Sequence, residues 1–314
     1  MSDVEHPFTS SRHERRKGLR EKIVRYLMLA STFAIIIPVL TVIVYLFVKA
    51  APVLSWDYIT QNPGPLGKTG GIWLPLMGTF YLVLVSLALV APVGILAGIY
   101  INEYAPNNWF TRAIGMAVTS LAGVPSIVHA LFGVGAFVLT LGMGKSLLAA
   151  SCTIAVMTIP VIVTATREAL AAVPMAFREA CWNMGATKWQ TIRTIVLPNS
   201  VSGILTGVIL EVSRAAGETA PILFTGAVAS VAISTDTFDR KIAPYDLTEP
   251  FMAMSYHLHV VAEKISGMPE GMKFGTAAVL IALILIINSF SITLRVWLRS
   301  RKKWKPDHER ARTH

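Results

Sequence analysis

Three charged residues in one of the least polar parts of the chain, Glu211, Arg214 and Glu218, are spaced i, i+3 and i+7, which puts all three on one face of a helix. They divide the stretch 194–235, otherwise free of charge, into two pieces of 17 residues. A charge near a bilayer centre costs on the order of 3 kcal/mol on insertion scales, so such residues face a polar pathway or one another. The planar fork of Arg214 suits a phosphate-like oxyanion, held through two parallel hydrogen bonds. A neighbouring carboxylate, Glu211 or Glu218, holds the guanidinium in place or accepts a proton from a protonated anion. The alternative is a buried ion pair that fixes helix register. Neither a Ser/His/Asp nor a Cys/His arrangement is present to support an intramembrane enzyme, and no cofactor is expected.

Such a triplet needs a membrane around it, and the composition supplies one. Hydrophobic residues make up 54% of the 314, and charged residues 15%, well below the ~25% of soluble domains. The charge-free stretches are 26–48, 69–102, 113–144, 146–166, 194–210, 219–235 and 274–294. About 20 apolar residues cross the hydrocarbon core, so the first four and the last each make one span. The two pieces around Glu211, Arg214 and Glu218 make either one span or two.

Loop charge decides the count. Both tails are basic, with seven Lys/Arg in residues 1–25 and eight in 295–314, and Lys and Arg in short loops mark the cytoplasmic side. Both termini are therefore expected to be cytoplasmic and the span number even, which gives six. The inside segments 1–25, 103–112, 167–193 and 295–314 then hold 20 Lys/Arg against seven outside. The first apolar run, 23 residues long, exceeds the core of a secretory signal and is expected to remain as an anchor. The small residues Gly94 and Gly98 predict close packing of the second span against another span or a neighbouring subunit.

The net charge of +10 points to the lipid surface rather than to nucleic acid, because the cations gather at the two ends without a nucleic-acid-binding motif. Cys152 and Cys181 match no metal spacing and are expected to be free thiols. Gly67-Lys68-Thr69 resembles the end of a phosphate-binding loop, but Asn62 stands where its first glycine belongs. His257-Leu258-His259 would aim two ligands together only on a strand, with no third ligand nearby. His129, in an apolar span, is expected to be packed and hydrogen-bonded.

The loop between spans four and five carries a fixed pattern: Glu179-Ala180-Cys181, Gly185 four residues further on, then Ile195-Val196-Leu197-Pro198. A short helix ending near Met184, a turn at Gly185, a second short helix and Pro198 in the first turn of span five follow from the residue types. The pattern resembles the EAA loop of ABC-importer permeases, E-A-A-x3-G-x9-I-x-L-P, with Cys181 in place of the second alanine. The segment Arg214-Ala215-Ala216-Gly217-Glu218-Thr219-Ala220-Pro221-Ile222-Leu223 resembles the R-A-x-G-E-T-A-P-x-L signature of PstA-type permeases, a family of phosphate-importer subunits. Thr69-Gly70-Gly71-Ile72 with Gly78-Thr79, and Gly123-Val124-Pro125-Ser126-Ile127-Val128, extend the resemblance to roughly 69–294.

The resemblance implies an all-α membrane protein of six transmembrane helices with the type I ABC-importer permease (MetI-like) fold, in the inner membrane. It divides the chain into a tail, 1–25, a first helix, 26–48, a permease core, 69–294, and a tail, 295–314. The core contains a coupling loop, 167–198, and an external segment, 226–272, with an amphipathic helix expected over Phe251–Ser266. Glu179, Ala180, Gly185, Ile195, Leu197 and Pro198 are the implied ATPase-coupling residues, and Arg214, Glu218 and Glu211 line the substrate pathway. The implied partners are a PstC-like sister permease, a PstB-like ATPase dimer and a PstS-like phosphate-binding protein. A permease for phosphonate, sulfate or molybdate, or a non-transporting membrane scaffold, remains the alternative.

Overall fold

A computed structural model describes residues 12–64, 69–231 and 244–301. Gly67 and Lys68 of the phosphate-loop-like tripeptide, the ends of both basic tails and residues 232–243 of the external segment lie outside them. The described chain is helical: α1 Arg12–Ala50, α2 Trp56–Thr60, α3 Trp73–Ile99, α4 Trp109–Ala122, α5 Ser126–Gly133, α6 Leu147–Ala171, α7 Met175–Asn183, α8 Lys188–Thr191, α9 Leu197–Gly217, α10 Ala220–Thr225, α11 Met254–His259 and α12 Glu270–Arg301. Wider π-helical turns continue α3 (Tyr100–Tyr104), α5 (Val134–Thr140), α8 (Ile192–Val196) and α11 (Val260–Lys264).

Five helical stretches are long and apolar enough to cross a membrane: Arg20–Ala50, Trp73–Tyr104, Leu147–Ala171, Lys188–Gly217 and Glu270–Trp297. The third expected span, 113–144, is not one helix but two, α4 and the α5 stretch, bent by 102°. The break falls at Gly123-Val124-Pro125. Proline has no N–H to continue a helix and pushes the residue before it out of the helical region. Pro125, extended at ψ 141°, begins the next helix instead. Counted as one bent crossing, the pair brings the spans to six.

Three spans form the centre. Glycine lets α3 meet α6 at backbone distance: a Cβ on Gly94 would stand 2.7 Å from Ile162 Cγ2, and one on Gly98 2.6 Å from Thr166 Cβ. The close packing expected of Gly94 and Gly98 is therefore against another span of the same chain. Gly203 and Gly207 of α9 meet Ala169 and Ala165 of α6 in the same way. Val90, Ile162, Ile204 and Val208 fill the space between the three helices. The first helix stands apart, exposed along most of its length and held to α12, with Tyr45 edge-on to Phe274 at 5.7 Å.

Segment 244–272 covers one end of this bundle. Tyr245 Oη donates to Leu74 O (3.0 Å), the Met254 N–H donates to Thr79 Oγ1 (2.8 Å), and Phe251 is fully buried. At the start of α6, Ser146 Oγ caps the Ala149 N–H, while Leu147 and Leu148 donate to the carbonyls of Glu249 and Leu247. Amides that a helix start would leave unpaired are thus satisfied. The helix expected over Phe251–Ser266 begins later, at Met254, because Phe251 bridges to Ala227.

Candidate functional site

The polar triplet lies at the end of α9 nearest this cover. α9 stops at Gly217, and Glu218 is extended (φ −71°, ψ 131°), so only Glu211 and Arg214 share the helix and the expected single face of three does not hold. The periodicity breaks because a separate helix, α10, starts at Ala220 with Pro221 in its first turn, where a missing N–H costs nothing. The turn still brings the three side chains together. Arg214 Nε donates to Glu218 Oε1 at 3.3 Å, and Nη1 stands 3.9 Å from Glu211 Oε1. Ser255 Oγ donates to the Glu218 carbonyl (2.9 Å), tying the turn to α11.

Burial separates their roles. The Glu211 side chain is 6% exposed and that of Arg214 48%. Glu211 Oε2 has no hydrogen-bond partner among the described residues. It faces a void of about 10 Å³ beside Ser86 and Thr158, room for one water. Arg214 holds its guanidinium between two carboxylates with the rest of its surface open. Its position in the last turn of α9, near the carbonyl end of the helix dipole, favours a cation. A broken helix with polar groups at the break is tolerated at membrane depth where it lines a cavity or a protein interior. An open guanidinium steadied by carboxylates can take an oxyanion on its free edge.

At the other end of α9 is the loop pattern. α7 ends at Asn183, with Met184 as its cap; Gly185 adopts φ +81° and its N–H donates to Trp182 O, while Ala186 donates to Cys181 O. This closure needs a left-handed residue, which glycine adopts freely. Thr187 and Gln190 then form a capping box on α8. Glu179, Ala180 and Gly185 are exposed on this hairpin with Phe177, Trp182, Met184 and Trp189.

Ile195, Leu197 and Pro198 lie elsewhere, Ile195 in the π turn after α8 and the other two in the first turn of α9, where Leu197 packs against buried Leu170 and Val196. The expected second short helix is α8, and it runs through its π turn into α9 without a break, Pro198 lying in the first turn of α9. The Leu197 N–H donates to Ile192 O, five residues back, the wider turn lying directly before Pro198. The two candidate sites therefore occupy opposite ends of one continuous helix, Leu197 and Arg214 standing about 25 Å apart along its axis.

Other expected positions resolve simply. His129 is buried, with Nδ1 3.4 Å from Pro125 O. His257 points into the protein while His259 pairs with Glu263, so the two diverge. Cys152 and Cys181 are free thiols on α6 and α7. Sequence reasoning missed the buried pair of Arg178 with Glu103 and the bond from Ser213 Oγ to Asn288 Oδ1 of α12 (2.7 Å). Glu103 directly follows the charge-free stretch 69–102, and that was its one local signal.

Residues 91–304 match the family model described as "Binding-protein-dependent transport system inner membrane component". The chain is similar to the phosphate transport system permease protein PstA 2 of Mycobacterium bovis, 31% identical over 295 residues that cover 92% of this chain and 93% of that one. It is 34% identical over 240 residues to the phosphate transport system permease protein PstA of Mycobacterium leprae, covering 76% and 75%. Among solved structures it resembles an inward-facing MetNI methionine ABC transporter, with a TM-score of 0.54 and 16% identity over 72% of this chain and 97% of that one.

Proposed function

The chain belongs to the binding-protein-dependent transport system inner membrane components, and from that premise we propose that it forms half of the pathway through which an ATP-driven importer moves inorganic phosphate. The two Mycobacterium relatives carry phosphate transport in their names. The observation that carries the reading on this chain is Arg214: a half-open guanidinium, set between Glu218 and Glu211 at a break in a spanning helix. It binds the anion through its fork, and the two carboxylates orient it and balance its charge when the pathway is empty.

ATP is hydrolysed by a separate chain. A PstB-like ATPase dimer docks on the 175–191 hairpin, where Glu179, Ala180 and Gly185 are exposed beside large apolar side chains; Ile195, Leu197 and Pro198 carry the push into α9. A PstC-like sister permease supplies the other half of the pathway, and a PstS-like binding protein delivers phosphate. The chain is multi-pass in the inner membrane with both termini cytoplasmic, an orientation supported by the basic excess in segments 1–25, 103–112, 167–193 and 295–314.

The test is labelled-phosphate uptake into vesicles containing the assembled importer. Arg214→Ala, inserted and assembled normally, takes up at least ~100-fold less phosphate, the loss of a charge-assisted bidentate contact. Normal uptake by that variant overturns the reading. Competition by sulfate, molybdate or phosphonate stronger than by phosphate itself keeps the fold and replaces the substrate.

A further inference from the structure

Arg178 is buried in a hairpin whose neighbouring residues are mostly exposed. Its guanidinium joins three elements. Nη1 donates to Glu103 Oε2 in the π-helical turn that ends α3, and Nη2 donates to Leu170 O in the last turn of α6 (2.9 Å). Asn102 Nδ2 donates to the other oxygen of Glu103 (2.8 Å), fixing the carboxylate. The second helix of the hairpin grips the same turn independently, with the Lys188 ammonium 5.3 Å from the Tyr104 ring centroid. Beneath them Leu170, Val173 and Val196 pack with Ile99. The five residues Tyr100–Tyr104 are thus held from both α7 and α8.

Resting on the reading of the hairpin as the ATPase-docking element, we propose that Arg178 and Glu103 clamp the hairpin to the inner end of α3. Displacement of the hairpin is then passed into α3 and, through Gly94 and Gly98, into α6. Arg178 is a positioning residue: it touches neither substrate nor nucleotide. Its planar fork is required because it serves two acceptors on two elements at once, which a lysine ammonium does not reproduce in that geometry. A buried charge pair anchored on both sides moves as one unit, whereas an exposed tether of long side chains would stretch.

The experiment uses the assembled importer with its binding protein, carrying Glu103→Gln or Arg178→Lys. Three quantities are read: ATPase retained on the complex, ATP hydrolysed, and phosphate moved per ATP. Spin labels at Tyr100→Cys and Ala176→Cys, both exposed, with Cys152→Ser and Cys181→Ala, report the distance across the clamp with and without trapped ATP. Both variants keep the ATPase and hydrolyse ATP, but phosphate per ATP falls about twofold to thirtyfold. The label distance, constant between nucleotide states with the pair intact, changes between them in the variants. Uptake and hydrolysis falling together, in proportion to lost ATPase, make Arg178 a mere anchor and overturn the proposal. So does an unchanged ratio with an unchanged distance. A complex that moves no phosphate even with the pair intact defeats the substrate reading alone, because the label distance still decides the clamp.

Discussion

At the scale of single residues, charge geometry rather than charge governs Arg214. Arg214→Lys keeps the positive charge but replaces a fork by a point, so it is expected to retain less than about a tenth of the phosphate uptake. His257 gives a second prediction. Burial, with Nδ1 lacking a partner among the described residues, pushes its pKa down from 6.5 to about 4. The unfolded chain therefore binds a proton between those values that the folded chain refuses. The folded state is undisturbed above pH 6.5, loses stability as pH falls from 6.5 towards 4, and levels off below. The loss reaches on the order of 3 kcal/mol. Thermal unfolding in detergent at pH 7.5 and 5 checks it: His257→Leu shows a smaller drop between the two than the parent chain. The pairing of Arg214 with Glu211 and Glu218 was readable from spacing, because neighbours three and four apart meet on or near a helix. Glu103 and Arg178 were not: 75 residues separate them, and a contact of that kind leaves no periodic trace.

At the scale of elements, the two glycine devices are the points to break. Gly185 sits at φ +81° with its N–H donated, and proline can provide neither. Gly185→Pro is expected to open the α7–α8 hairpin and to abolish co-purification of the ATPase, with helix content unchanged by circular dichroism. Gly98→Val places methyl groups where Thr166 already lies and costs about 1–3 kcal/mol through overpacking, read as a lower unfolding temperature. Absence of charge located the spanning stretches, since that is what a bilayer selects. Bends escaped the same argument. Hydropathy is blind to direction, so the 102° turn at Gly123–Pro125 passed as continuous apolar sequence although Pro125 stood in view, whereas around Gly217 the charges of Glu211, Arg214 and Glu218 left one span or two open without placing the break. The π turn before Pro198 joined what the residue types had divided.

For the whole molecule, segment 244–272 decides how the helices hold together. It contacts α3 through Tyr245 and Met254, α6 through Leu247 and Glu249, and the end of α9 through Ser255. Tyr245 Oη both donates to Leu74 O and accepts from the Met252 N–H. Tyr245→Phe removes both bonds and takes from the buried Met252 N–H its acceptor, at a cost of about 1–3 kcal/mol. Faster tryptic cleavage at exposed Lys264 reports the loosened segment. In sequence that segment showed only an amphipathic helix over Phe251–Ser266; its tethers were not legible, because nearly all of them involve a backbone atom on one side and depend on shape rather than residue type.

The same cover makes that end of the bundle a fulcrum. Helices pinned at one end and pushed at the other tilt rather than slide, and the displacement grows with distance from the pin. Arg214 lies close to the pinned end, while the hairpin lies beyond Leu197, about 25 Å further along α9. A shift of about 5 Å at the hairpin end corresponds to a rotation of roughly 10° over that arm, and moves Arg214 by only a small fraction as much. On the proposed reading of Arg214 as the anion site, that site is expected to keep its shape while access changes at the far mouth, and spin-label distances across Arg214 that stay constant with and without trapped ATP would check it.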